Sequence, residues 1–227
     1  MAVKRKKYSL IYASKHAVPF KKDRPLQIML LIYLSVFIFM AVEPTDYVQW
    51  WYMNIASVLI FLILGLFYVN SRLTNMAYAS VLLFLLIHTV GAHYTYSQCP
   101  MGEWMKGFLG GGRNNYDRLV FLAFGLLIST PVMEILYHRF RLRYTEACLI
   151  SILIIVAFCA LNSLADMLVA SFSSTRAILT LKEAQGDMWT SQRDIAMSLL
   201  GAVLNMGNCI LIKIKRNQKI HMVKATK

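Results

Sequence analysis

Residues 76–96 read MAYASVLLFLLIHTVGAHYTY, and residues 119–137 read LVFLAFGLLISTPVMEILY. Between them, residues 97–118 read SQCPMGEWMKGFLGGGRNNYDR. Each flank is of membrane length, since about 20 mostly apolar residues in a helix cover roughly 30 Å of hydrocarbon. Lipid offers no partner to backbone N–H and C=O groups, so each flank must be helical. The stretch from His88 to Arg118 has the opposite character. It carries two histidines, three tyrosines, two asparagines, two arginines and an aspartate. Nowhere else does the chain place so many hydrogen-bonding side chains between two apolar runs.

Working outward, four more apolar runs qualify as spans: residues 26–42, 53–69, 147–170 and 194–212. With 58% hydrophobic and 15% charged residues, the chain is too apolar for an ordinary soluble domain. The reading is an all-α membrane protein, a bundle of six transmembrane helices over residues 26–213. A basic segment, residues 1–25, precedes it and a basic tail, residues 214–227, follows. No small-residue cleavage site follows the first run, which is therefore a retained span and not a signal peptide. The net charge of +13 sits at segment ends rather than along one face, which argues against nucleic acid as a partner. Eighteen Lys and Arg fall on one side of the six spans and six on the other. The positive-inside rule then predicts both termini in the cytoplasm of an inner-membrane protein. It also places Trp50, Trp51, Trp104 and Trp189 near the outer interface. Cys99, Cys148, Cys159 and Cys209 show no Cys-x-x-Cys spacing, so neither a disulfide framework nor a zinc knuckle is indicated.

This topology sorts the polar residues by depth. His93, the entrance to span four (Asn114, Tyr116, Asp117, Arg118), Asn162 and Asp166 of span five, and Asp187, Gln192, Arg193 and Asp194 before span six all fall toward the outer face. A carboxylate well inside a bilayer costs about 2.5–3.5 kcal/mol on insertion scales, so Asp166 implies a partner or a water-filled pocket. Glu134 stands apart, near the cytoplasmic end, where it can pair with His138 one turn on.

Each feature has a structural and a functional reading. His88 and His93 point about 140° apart on a helix and cannot chelate one ion as an i, i+4 pair does. Each suits a helix–helix hydrogen bond, or His93 serves as ligand or proton carrier. Asn114, Asn115 or Asp117 can cap span four, but capping does not account for Arg113 and Arg118 as well. Two planar guanidinium forks there suit a phosphate or carboxylate. Ser191 and Asp194 fit a variant capping box, while Asp187 and Asp194, two turns apart, suit a cation or shared proton. Pro131 should bend span four. Walker, zincin and nucleophile-elbow motifs are absent from the sequence. No cofactor is implied, and enzymatic activity is left open with the balance against it.

The segments His88-Thr-Val-Gly-Ala-His-Tyr-Thr-Tyr96, Arg113-Asn-Asn-Tyr-Asp-Arg118 and Gln185-Gly-Asp-Met-Trp-Thr-Ser-Gln-Arg-Asp194, with Pro131 and Glu134 between the last two, resemble the YjdF-type bacterial inner-membrane proteins. That group is similar in turn to the VanZ-like membrane proteins. The resemblance covers roughly residues 25–215 and implies a small multi-pass protein. The VanZ-like side implies envelope lipids or wall precursors, through an association with glycopeptide-antibiotic tolerance. The chain departs from the pattern at Phe121, where the family has a histidine, at Arg193, where it has an apolar or aromatic residue, and in span five, where Asp166 alone is acidic. If the family binds a metal or moves protons through those groups, this chain is altered there. The functional expectation is an outward-facing pocket that binds an anionic envelope lipid or wall precursor through Arg113 and Arg118. His93, Asn114, Tyr116, Asp117, Asp166, Asp187 and Asp194 would line it. The alternatives are an ion- or proton-coupled transporter, a metal-dependent intramembrane hydrolase, and a structural subunit.

Overall fold

A computed structural model describes residues 19–70, 72–109, 114–172 and 189–225. Among these residues every regular element is helical. The helices are α1 (Arg24–Met40), α2 (Tyr47–Asn70), α3 (Asn75–His93), α4 (Pro100–Leu109), α5 (Tyr116–His138), α6 (Tyr144–Phe172) and α7 (Thr190–Ala225). Five of them, α2, α3, α5, α6 and α7, are long and apolar enough to cross a membrane, and α1 is a shorter apolar helix. The six expected spans are therefore present. Between α3 and α5, residues 100–109 form the short helix α4. The basic stretch from residue 214 is no separate tail, because α7 continues through it to Ala225. Residues 1–18, most of the basic amino-terminal segment, lie outside the described residues.

Half of the α3 span and 44% of the α5 span are buried inside the protein, against 17% for α2 and 22% for α7. The hairpin that opened the sequence reading is thus the core, and the other helices surround it. Val81, Phe84 and Leu85 of α3 pack with Val120, Ala123 and Ile128 of α5, and Tyr33, Ile155 and Ala202 close the cluster from α1, α6 and α7. Large apolar side chains such as Leu31, Phe39, Leu62, Leu66, Leu153 and Leu204 remain exposed on the outer helices. In a span such positions face lipid rather than water. Trp50 is buried against Phe37 and Trp51, with ring centroids 5.3 and 4.9 Å away, whereas Trp51, Trp104 and Trp189 are exposed.

α5 is interrupted by a π-helical turn over Phe124–Ile128. Pro131 lacks the N–H that would bond the Leu127 carbonyl, so the ladder is already broken one turn downstream. The irregularity covers Phe124–Ile128, ahead of Pro131. α7 crosses α5 at this point through the face Asp194, Ser198, Gly201, Asn205. A Cβ on Gly201 would lie 2.3 Å from Leu122 O and 2.7 Å from Leu126 N, and one on Gly125 would lie 2.0 Å from Ser198 O. Only glycine permits backbones this close, as in other membrane helix pairs. The Asn205 amide then donates to Ser129 Oγ at 2.9 Å and Thr130 Oγ1 at 2.8 Å.

The opposite end of the bundle is pinned by two acids. Glu134 is buried and accepts from Thr74 N at 2.9 Å and from the Thr74 hydroxyl, so it caps α3 and is not the ion-pair partner of His138. Asp23, next to α1, is gripped by Arg72 through Nε and, at 2.7 Å, Nη2. Arg72 also donates to Asn75 and lies 5.7 Å from the centroid of Tyr78. The Arg72 guanidinium beside Asp23 holds that carboxyl below its ordinary value.

Candidate functional site

The candidate site lies at the end of the bundle where α1, α3 and α6 finish and α2, α5 and α7 begin. Arg118, in the first turn of α5, is its hub. Its Nε lies 3.9 Å from Asp194 Oδ1 of α7 and 4.0 Å from Asp117 Oδ1. The three side chains are 12%, 8% and 11% exposed, so the charges are largely withdrawn from solvent. The α5 and α7 backbones meet at Gly125 and Gly201, and that contact brings Asp194 up to Arg118. Ser191 is already helical, so Asp194 is turned into the protein and does not complete a capping box.

Asp166 joins from α6. Its Oδ1 accepts from the Tyr52 hydroxyl of α2 at 2.7 Å and its Oδ2 from Asn162 at 3.4 Å. Tyr96 lies near both groups, with its phenol in electrostatic reach of Asp117, Asp166 and Asp194. Its position depends on an unusual turn. Thr95 and Tyr96 adopt φ of 60° and 56°, and Tyr96 N donates to Gly91 O at 2.8 Å, which folds the ring back along α3. Two consecutive left-handed residues without glycine are strained, at about 1–3 kcal/mol each. Gly91 provides the space, since a Cβ there would lie 2.4 Å from the Tyr96 ring and 2.5 Å from Tyr116.

Tyr96 in turn meets His88, its hydroxyl 2.6 Å from Nδ1. His88 Nε2 lies 3.1 Å from the Met53 carbonyl. A carbonyl only accepts, so Nε2 carries the proton, and Nδ1 accepts from Tyr96. His88 is thus the helix–helix contact expected, and also links the carboxylate cluster to the middle of the bundle. His93 does not join the site. Its Nδ1 donates to Met40 O at 2.9 Å while its carbonyl accepts from Thr45, so it fastens the α1–α2 turn to α3.

Asn114 and Tyr116 are scaffold. The Asn114 amide donates to Cys99 O at 2.9 Å and Glu103 Oε1 at 3.0 Å, and its oxygen accepts from Tyr116 N at 3.1 Å. That residue both starts α5 and ties α4 to it. Tyr116 is fully buried and donates to Ile87 O at 2.7 Å. Lys106 beside Glu103 draws that exposed carboxyl below its ordinary value. Arg113 and Asp187 lie outside the described residues. Tyr52 and Tyr96 escaped the sequence reading. Tyrosine at a helix start resembles any interfacial aromatic, and no residue type announced the turn at Thr95. Among the described residues no group of three or more His, Cys, Asp or Glu is placed to hold a metal ion, so the arrangement adds nothing to the hydrolase reading.

The match to known families follows the same core. A family model described as "Predicted membrane protein (DUF2238)" matches residues 25–214, all six spans included. The chain belongs to that family. Within its reach, the inner membrane protein YjdF of Escherichia coli (strain K12) is 28% identical over 158 residues, which cover 67% of this chain and 74% of YjdF. No solved structure matches the chain. This DUF2238 member is therefore a multi-pass membrane protein related to YjdF, as the motif order suggested.

Proposed function

We propose that this DUF2238 protein binds the head group of an envelope lipid or wall precursor at the Asp117–Arg118–Asp194–Asp166 cluster, on the outer face of the inner membrane. The orientation rests on the Lys and Arg asymmetry, which puts both termini in the cytoplasm. One observation carries the ligand class. Arg118 is shared by two carboxylates, and a third, Asp166, is in reach of the same phenol. A purely anionic ligand, as the arginines alone implied, would have to compete with Asp117 and Asp194. A head group bearing both an ammonium and a phosphate satisfies the whole set, with the ammonium on the carboxylates and the phosphate on the guanidinium.

The test is lipid retention after purification from vesicles of phosphatidylethanolamine, phosphatidylglycerol and phosphatidylcholine in equal parts. Wild type should retain phosphatidylethanolamine preferentially, and Asp194→Asn and Arg118→Ala should lose that preference. Equal retention of all three lipids by wild type rejects the proposal.

Proton-coupled transport is a second reading, favoured by the Tyr96–His88 hydrogen bond that extends from the cluster into the bundle. It requires proton flux in reconstituted vesicles that falls in His88→Ala. A wild type without flux above empty vesicles removes it.

A further inference from the structure

We infer that water is bound inside the protein between α1, α2 and α3, along a polar stripe of α2 formed by Trp50, Asn54 and Ser57. These residues follow at spacings of four and three, so they share one helix face. All three are 2% exposed. The Trp50 indole Nε1 and the Asn54 Oδ1 have no hydrogen-bond partner within the protein, and the Ser57 Oγ has only the Tyr33 hydroxyl in reach. Asn54 uses its amide nitrogen on Trp50 O at 2.8 Å, which leaves the oxygen facing elsewhere. At the head of the stripe the half-buried Gln49 also has its Oε1 without a partner.

The surroundings are specific. Phe37 of α1 covers Trp50, and the buried Tyr33 hydroxyl of α1 lies beside Ser57 and 3.4 Å from Thr89 Oγ1 of α3. Bare polar groups in a membrane interior cost several kcal/mol each, on the order of 2–7 by transfer measurements. A helix face carrying two of them, with a third hydroxyl only partly served, at consecutive turns needs an occupant. The set contains a pure donor, a pure acceptor and hydroxyls that do both, with neither a carboxylate for a cation nor a guanidinium or ammonium for an anion. A small neutral molecule that donates and accepts fits it, and water, with two to four polar partners per site, is that molecule.

Position gives the water a route. The stripe begins in the first turn of α2, beside Tyr52, whose hydroxyl is bonded to Asp166. From Trp50 to Ser57 the helix rises about 10 Å. Water admitted at the candidate-site end thus reaches the level of Met53, whose carbonyl accepts the His88 Nε2–H hydrogen bond. The inference is independent of the lipid reading, since it involves none of the four charged residues.

Millisecond X-ray radiolysis of the full chain in lipid nanodiscs, read by residue-resolved mass spectrometry, tests it. Bound water generates hydroxyl radicals where it sits and oxidises buried neighbours. Trp50 should be oxidised within about tenfold of the exposed Trp51, and Tyr33 should be oxidised too, while the equally buried Phe84 stays protected. Protection of Trp50 to the level of Phe84 in wild type overturns the inference, whatever the variants do. In Asn54→Leu/Ser57→Ala, Trp50 oxidation should fall by about tenfold against Trp51. An unchanged rate there also overturns it, because the stripe would not be what holds the water.

Discussion

Replacing Arg118 by methionine tests whether the cluster is held as the geometry says. The substitution keeps most of the side-chain volume and removes the charge between Asp117 and Asp194. At about 4 Å and an effective dielectric near 20, each guanidinium–carboxylate contact is worth about 4 kcal/mol of attraction before desolvation. Desolvating three charges offsets much of that gain, so the intact cluster adds little net stability. The variant is another matter, since it takes the guanidinium away from two carboxylates that are 11% and 8% exposed. Removing one partner of a buried ion pair costs about 3–5 kcal/mol. For a chain of this size that lowers the melting temperature by roughly 6–20 °C, at about 2–4 °C per kcal/mol. Thermal unfolding in a fixed detergent measures it. Arg118→Met/Asp117→Asn/Asp194→Asn should recover at least half of the loss, because no buried charge is left in the trio. A single variant within about 1 kcal/mol of wild type would refute the reasoning, since that is how exposed pairs behave.

Three further predictions address the supports of the site. Gly201→Val should destabilise by about 1–3 kcal/mol or more, since its side chain meets the α5 backbone, while Gly207→Ala, with nothing within 4 Å of the new Cβ, should be neutral or gain up to about 1 kcal/mol; the same melting assay compares them. The Asp23 carboxyl is held below its ordinary 3.8 by Arg72, so its contribution is fully present above that value and is lost as pH falls through the lowered one. Melting temperature should therefore drop below about pH 4 in wild type, with a smaller drop in Asp23→Asn, and equal slopes would remove Asp23 as the cause. Trp104 and Met101 of α4 are exposed on the side away from Glu103 and Lys106, so α4 should lie at the lipid surface. Brominated lipids should quench a Trp104→Phe variant less than wild type, and identical quenching would place the indole in water.

The spans and their alternation were legible because hydrocarbon length and backbone satisfaction leave one solution for each apolar run. Arg118 and Asp194 were legible as polar residues at one depth, but not as a contact. Their meeting depends on the close crossing at Gly125 and Gly201, and neither glycine carries a signal that distinguishes it from Gly65, beside which nothing lies within 4 Å. Depth alone also grouped His93 with the aspartates, while rotation about α3 sends it to Met40 instead. Glu134 misled for a related reason. The nearest cation in sequence was His138, but the neighbour in space is the free backbone N–H at the start of α3. Local spacing ranks partners along one helix and is blind to the helix packed against it.

His88 is where these threads meet. The sequence pairs it with His93 and the helical period separates them, yet its ring joins two polar systems that no sequence pattern connects. On one side Tyr96 leads to three aspartates, and on the other Met53 lies within the Trp50–Ser57 segment of α2. The Tyr96 bond depends on Gly91, which lets Tyr96 fold back, and on the two left-handed residues that aim it there. Strain of that size persists only where the surrounding structure compensates for it. A turn kept only to end a helix would not need it, since glycine at either position would end α3 without cost. The strained Thr95–Tyr96 turn is therefore best explained by what it delivers, a phenol held between a buried histidine and the carboxylates around Arg118.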